Sequence, residues 1–360
     1  DMVALATIGD MVPLTGESRT LARYGMVVLN KTQNIGLIKL MELAGIIDED
    51  GKCKRGKLDA QKIGFQIVPR LNAAGRMDHA NTAFALLMSQ NETEADTLAK
   101  QLNQNNYDRQ KLTDKLVREA TEQVETSKQQ DNPVLFVLGE DWPTGILGLV
   151  SGRIKDKFYK PTLALTLTDG EITGSGRSIL EFNLIANLQK MPKFFDKFGG
   201  HPQACGLTLK NPEMLEDFKK SLIEKAKKQI PKEKLDPQIN IDAEIKLEEV
   251  DWKLYDLLQK FEPFGQANEK PKYCAKNLTI TNISPVGQDG KHLRIMVKHN
   301  SSTVRKTIGF GLGDKKRHPE NWKNKLKTGS KIDMVFAIGV NEWNGNRELQ
   351  LTIEDIKMSE

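Results

Sequence analysis

Two short glycine-rich stretches carry residue types suited to holding an anion. Gly199-Gly200-His201 sets bare backbone beside one imidazole, ahead of Pro202-Gln203-Ala204-Cys205-Gly206. Glycine tolerates positive φ and leaves main-chain N–H groups reachable, so a turn here can close on a phosphate with His201 donating from its rim. The same glycines equally suit an ordinary tight turn before a strand running Ala204 to Leu209. Gly174-Ser175-Gly176-Arg177-Ser178 adds the hydroxyls of Ser175 and Ser178 and a guanidinium that can fork onto phosphate oxygens. It lacks the Lys-Ser/Thr ending and glycine spacing of a P-loop, so nucleoside triphosphate binding is not implied. In Pro69-Arg70-Leu71-Asn72-Ala73-Ala74-Gly75-Arg76-Met77, two arginines and Asn72 surround small residues. That suits contact with a phosphate backbone, or a helix-to-helix turn with solvated arginines.

The elements that must position these residues follow from hydrophobic periodicity. Residues 1–90 read as mainly helical: a helix capped by Ser18 carries Leu21, Tyr24, Val28 and Leu29, another runs Gly36 to Leu43, and a third runs Asp59 to Val68 until Pro69 breaks it. Thr82 to Met88 follows as a further helix. Residues 91–130 read as one long connecting helix with a narrow apolar stripe (Ala95, Leu98, Leu102, Leu112, Leu116, Ala120, Val124), weakened at Asn103, Asn105 and Asn106. Residues 131–230 alternate strand and helix, with Phe182 to Phe195 as one helix, and form an α/β domain with both glycine motifs at strand ends. Residues 231–360 read as five strands near Tyr273–Ile283, His292–Lys298, Val304–Phe310, Ile332–Ile338 and Glu348–Ile356, with turns at Asp289-Gly290 and Asn344-Gly345. The fold class is therefore α/β plus all-β, ending in an OB-like barrel.

Composition bounds the function. The chain has 360 residues, 38% hydrophobic and 28% charged, and its longest apolar runs are only strand-length, so nothing points to a membrane. Its three cysteines, Cys53, Cys205 and Cys274, form no CxxC pattern, which fits a reducing compartment with free thiols and gives no zinc site. The net charge is +5, yet residues 291–331 hold twelve Lys or Arg against Asp314 and Glu320. A basic tail on a nearly neutral body suits a polyanion-binding module, or a solvated lysine-rich face. On the barrel, Lys315, Lys316 and Arg317 are candidate phosphate contacts. Trp343, Phe310 and Trp322 are candidate base-stacking platforms, Trp343 beside a turn tip the best of them, although such residues are more often core than platform.

Six segments occur together in order: Asp1 to Leu14 (DMVALATIGDMVPL), Pro69 to Arg76 (PRLNAAGR), Thr144 to Val150 (TGILGLV), Gly174 to Ser178 (GSGRS), Gly199 to His201 (GGH) and Pro263 to Asn268 (PFGQAN). With these motifs the chain resembles the RecJ family, single-strand-specific 5′→3′ exonucleases of the DHH phosphoesterase superfamily, over essentially its whole length. The resemblance implies that residues 1–90 are the C-terminal part of a DHH catalytic domain, that 131–230 are the DHH-associated domain, and that 231–360 bind single-stranded DNA. It further implies a role in DNA repair and recombination, a cytoplasmic monomer, and single-strand-binding protein and a helicase as partners beside the DNA itself.

That family uses carboxylates and histidines to bind two divalent metals, manganese or magnesium. Only Asp10 matches one of those ligand positions, and no Asp-His-His motif occurs in these residues. Asp78-His79 lacks the second histidine and follows the arginine motif, so it is not that site. The chain, which begins at Asp1 rather than Met, is therefore expected to be part of a longer protein and inactive alone, with no complete catalytic site. By resemblance, Ser175, Ser178, Arg177 and His201 hold the 5′ phosphate or adjacent backbone, Gly199 and Gly200 give access, and Arg70, Asn72 or Arg76 contribute from the first domain. The family usually carries histidine at the place of Pro143, so a DNA contact there is not expected. Two alternatives remain from the residues: a non-catalytic single-strand-binding accessory protein, and a phosphodiesterase acting on short oligonucleotides.

Overall fold

A computed structural model of the chain describes residues 1–54, 56–77, 79–231, 237–299, 303–314, 320, 322–343 and 346–360, with the side chain of Trp343 also outside the description. Two helices open it, α1 (Met2–Gly9) and α2 (Gly16–Leu29), followed by α3 (Ile35–Leu43) and the single turn α4 (Ala60–Lys62). The expected cap at Ser18 is displaced. Buried Leu14 donates its N–H to the Gln266 carbonyl at 2.7 Å, which fixes the entry early, so α2 begins at Gly16 and Ser18 lies inside its first turn.

Pro69 does not break its helix. A π-helical turn over Ile63–Ile67 leads directly into α5 (Val68–Met77), so the arginine motif is helical rather than a turn. Proline lacks an N–H and collides with the carbonyl four residues back; a wider turn just ahead relieves both. After α6 (Asn81–Met88), α7 (Glu92–Thr126) runs uninterrupted for 35 residues, about 50 Å at 1.5 Å per residue. Asn91 caps it, its side chain accepting from Thr93 and Glu94 at 2.9 and 3.0 Å. The stripe continues through buried Asn106 and Thr113, which explains why the asparagines do not split the helix: Asn106 takes a hydrogen bond from Arg109 and Thr113 donates to the Arg109 carbonyl.

The α/β part contains β1 (Leu135–Glu140), α8 (Thr144–Phe158), β2 (Thr162–Thr168), β3 (Glu171–Arg177), α9 (Leu184–Gln189), β4 (Phe195–His201), β5 (Ala204–Leu209) and α10 (Leu215–Gln229). The helix expected over Phe182–Phe195 ends at Gln189; Pro192 opens a separate short turn and Phe195 already starts β4. The sheet order is β1-β2-β3-β5-β4, with β1 and β2 parallel and the rest antiparallel. On one face, Leu163, Leu165, Ile172, Cys205 and Leu207 pack with Phe182, Leu184 and Phe218. On the other, α7 and α8 cover β1 and β2 through Leu116, Ala120, Ile146 and Val150. Gly199 and Gly206, in β4 and β5, lie exposed on that second face.

A short strand, β6 (Ala243–Glu244), and α11 (Trp252–Gln259) precede the C-terminal barrel. Its strands are β7 (Lys272–Val286), β8 (His292–Lys298), β9 (Val304–Gly309), β10 (Lys331–Trp343) and β11 (Asn346–Met358), with the short α12 (Trp322–Lys325) between β9 and β10. The order β7-β8-β9-β11-β10 closes through β10 pairing with β7, so the five strands form a closed barrel. Leu293, Ile295, Val297, Met334 and Phe336 fill it. Trp322 is also core, 5% exposed, and is thereby corrected from stacking candidate to packing residue. The chain divides into two compact units, one made of Asp1–Gln33, Gly45–Gln66 and Ile239–Glu360, the other of Asn34–Ala44 and Ile67–Gln238. No helix among the described residues is long and apolar enough to cross a membrane.

Candidate nucleic-acid interface

The second unit contains all the glycine and arginine motifs. Gly199-Gly200-His201 is not a tight turn but the end of β4, and the chain reverses at Pro202-Gln203. Register then aligns three rows across β3, β5 and β4: Arg177–Ala204–His201, Ser175–Gly206–Gly199 and Thr173–Thr208–Lys197. Directly opposed residues share a face, and neighbouring strands lie about 4.8 Å apart, so each row spans roughly 10 Å. A Cβ at Gly199 would meet nothing within 4 Å, and one at Gly206 only the Gly174 carbonyl at 3.9 Å. The result is a bare, open trough with Arg177 and Ser175 along one side and exposed His201 along the other. Lys197, exposed at the corner, escaped the sequence reading.

Gly200 has a different task. Its φ is +140°, and a Cβ there would lie 2.2 Å from the Ala204 carbonyl oxygen, so this glycine serves the hairpin rather than ligand access. Ser178 is likewise corrected. Its hydroxyl is buried and donates to the Phe182 carbonyl at 2.6 Å, which ties the loop after β3 and removes it from the anion-binding set.

Arg177 Nη1 donates to Ser175 Oγ at 3.1 Å and to the Gly176 carbonyl at 2.9 Å. Above them runs α8, whose glycines admit this arrangement: a Cβ at Gly148 would lie 2.8 Å from Arg177 Nη2, and one at Gly145 only 2.6 Å from the Arg76 carbonyl oxygen. Arg76 Nη1 donates to the Gly145 carbonyl at 2.9 Å, which joins α5 to α8 and the arginine motif to the trough. Arg70 is directed elsewhere, its Nε donating to Asn103 Oδ1 of α7 at 2.9 Å. Asn72 is exposed on α5.

The electrostatics distinguish this cluster from a solvated face. Desolvation lowers the pKa of Arg70, Arg76, Arg109 and Arg177 below the ordinary arginine range. Arg76 presses further on Arg177, and both Arg76 and Arg153 press on Arg109, with Asp114 offsetting part of it. Asp114 is already ion-paired with Arg153. Partly desolvated guanidiniums that disfavour one another make a ready site for an anion. The sequence reading missed Arg109, which sits in α7 away from any glycine motif, and Arg153, which follows Gly152 in α8. It treated Gly145 and Gly148 only as family signature, although small residues at Gly145, Gly148 and Gly152 mark one helical face.

In the first unit, a groove of about 850 Å³ on the barrel is lined by Asn282, Ser284, Arg294, Met296, Lys306 and Arg347, with Trp252 at its side. The Arg347 guanidinium lies over the Trp252 ring, 5.2 Å from its centroid. Much of the basic run is engaged: Lys306 pairs with Glu348 at 2.6 Å, Lys325 with Glu320 at 2.8 Å, and Arg305 holds the Leu247 and Val250 carbonyls. Lys315, Lys316 and Arg317 lie outside the described residues, as does the Trp343 side chain. Phe310 is 60% exposed and meets His292 edge-on.

Comparison with known proteins agrees with this architecture. The family model for the DHHA1 domain matches residues 131–228, and that for the RecJ OB domain matches residues 241–355. Residues 131–228 are thus a DHHA1-type α/β domain, and residues 241–355 are an OB barrel. It is 33% identical over 362 residues to the single-stranded-DNA-specific exonuclease RecJ of Bacillus subtilis, covering all of this chain and 44% of that protein. Against the Escherichia coli RecJ it is 31% identical, covering 99% of this chain and 60% of that one. A Thermus thermophilus RecJ crystal structure with Mg²⁺ superposes with a TM-score of 0.79 at 22% identity, covering 99% of this chain and 52% of that one. The chain belongs to the RecJ family and spans about half the length of the relatives it matches.

Solved RecJ structures hold Mg²⁺ or Mn²⁺. Among the described residues, no three His, Cys, Asp or Glu side chains gather to hold a metal ion. Asp10 stands exposed at the C-terminal end of α1. Among the described residues, Asp10 therefore has no companions that fit a metal pair.

Proposed function

We propose that this chain is the DNA-binding portion of a RecJ-like, metal-dependent 5′→3′ exonuclease of single-stranded DNA, acting in repair and recombination. The observation that carries it is the pairing of Arg177 with Ser175 at the edge of a bare sheet face, with Arg76 joined to the same helix. Arg76, Arg177 and Ser175 take the 5′ phosphate, Gly199 and Gly206 let the strand lie against backbone, and His201 donates from the far side. Arg70 and Asn72 extend the cationic face along α5. The barrel also holds single-stranded DNA, through its groove and through Lys315, Lys316, Arg317 and Trp343.

The division supporting this reading is residues 1–90 as the end of the DHH domain, 91–130 as connecting helix, 131–230 as DHH-associated domain and 231–360 as single-strand-binding domain. Asp10 is one ligand of a manganese or magnesium site that these residues do not complete. The protein works in the cytoplasm as a monomer, with single-strand-binding protein and a helicase as partners.

Binding of 5′-phosphorylated and 5′-hydroxyl oligonucleotides by the chain, followed by incubation with manganese, tests this. Preference for the phosphorylated single strand with little cleavage is expected. Robust cleavage, or equal affinity for duplex, overturns it.

A further inference from the structure

The middle of α7 carries two donors that the fold leaves unanswered. Asn105 Nδ2 and Arg109 Nε are buried and, among the described residues, have no hydrogen-bond partner. They are four residues apart on one helix, hence neighbours on one side of it, with Cβ atoms roughly 5–6 Å apart. A buried donor without an acceptor is costly, and two side by side in a well-formed helix call for an explanation.

Their surroundings specify what would answer them. Arg109 Nη2 donates to Asn106 Oδ1 at 2.9 Å, and Asn106 is itself 3% exposed, so the guanidinium is oriented rather than loose. Arg76 and Arg153 both act on Arg109 as like charges, and the nearby carboxylate, Asp114, is engaged by Arg153. Two adjacent N–H donors, one cationic and set among other cations, fit an oxyanion. Asn105 and Arg109 are only half-buried as residues, so both side chains still reach the protein surface. Arg76 acts electrostatically on both Arg177 and Arg109, which sets Arg109 beside the same cationic surface.

Building on the proposed DNA-holding role, we propose that Asn105 and Arg109 hold an internal phosphodiester of the bound strand, distinct from the terminal phosphate at Arg177. The long helix then acts as a second grip on the DNA as well as a connector.

The experiment uses the full chain and 5′-phosphorylated single strands in which one neutral methylphosphonate linkage is moved along the first several positions. Arg109→Lys keeps the charge but loses Nε and the fork, and is expected to weaken binding of the all-phosphate strand about tenfold. Neutralising one particular linkage should weaken the parent by a similar factor and leave the variant no worse. The ratio of 5′-phosphorylated to 5′-hydroxyl affinity should not change in this variant. Asn105→Ala should show coupling at the same linkage, and serves as the test if Arg109→Lys melts early. Additive losses at every linkage overturn the proposal, as does a collapse of the phosphate-to-hydroxyl ratio in Arg109→Lys. Heat protection by inorganic phosphate that depends on Asn105, without linkage coupling, marks a free-phosphate site and also overturns it. If the parent chain shows no preference for a 5′ phosphate, the terminal-pocket reading fails while the linkage coupling is still decided separately.

Discussion

The Arg177 guanidinium donates to the Ser175 hydroxyl 3.1 Å away on the same strand, and the missing side chain of Gly148 makes the room they share. Arg177→Ala is expected to weaken binding of 5′-phosphorylated strands roughly 10- to 100-fold, the scale of a charge-assisted hydrogen bond of about 1.5–3 kcal/mol. Strands with a 5′ hydroxyl should lose much less. Titration of both strand types by fluorescence anisotropy checks this, and an equal loss for both removes the end-specific role.

The two glycines of β4 should behave oppositely. Gly199→Val adds a side chain into open space in a strand, so the melting temperature should hold while affinity for single strands drops on the order of tenfold. Gly200→Ala meets a carbonyl oxygen at 2.2 Å and forces an unfavourable φ, so it should cost about 1–3 kcal/mol of stability. Paired calorimetry and binding measurements separate the two outcomes; a Gly199→Val protein that binds normally contradicts the trough.

On the barrel, Arg294→Ala and Arg347→Ala should weaken binding of long single strands with little regard to sequence. Each should reduce the slope of log affinity against log salt by about 0.7. Affinity for strands only a few nucleotides long should stay unchanged, and a loss on short strands would assign these arginines to the terminal-phosphate site.

Cys205 predicts a pH dependence. Burial pushes its thiol up to about 11, against the opposing pull of the Gly176 N–H and Arg177. A thiol held neutral in the fold but titrating near 9.0 when unfolded stabilises the protein below pH 9 and loses that contribution as pH climbs toward 11. Cys205→Ala should therefore be the less stable protein at pH 8, with the gap narrowing by pH 10.5 in thermal melts. A gap that stays constant or widens with pH refutes the assignment.

Much of this was legible from residue pattern alone. Alternation gave β8 at His292–Lys298, and the apolar stripe gave α7 to within a few residues of its ends. Pro69 misled because nothing local announces a π turn ahead of a proline; that turn forms where tertiary packing rewards continuing the helix. The Gly-Gly-His segment looked like a turn since glycine is common to turns and to bare strands, and only pairing with β5 tells them apart. Ser178 was miscast because its partner, the Phe182 carbonyl, depends on how the following loop closes. Arg109 and Arg153 reach the cluster from two helices, a proximity that chain order does not encode. The basic run in the barrel overstated the free charge, since Lys306 pairs with Glu348, which lies outside the run on β11.

The rows of β3, β5 and β4 present hydroxyls, cations and naked main chain, with no side-chain amide placed to read a base edge. A polymer resting there meets the same footing whichever nucleotide arrives, and advancing it by one unit restores the starting arrangement. Under the role proposed above, such indifference is what lets single strands of any sequence lie on this surface.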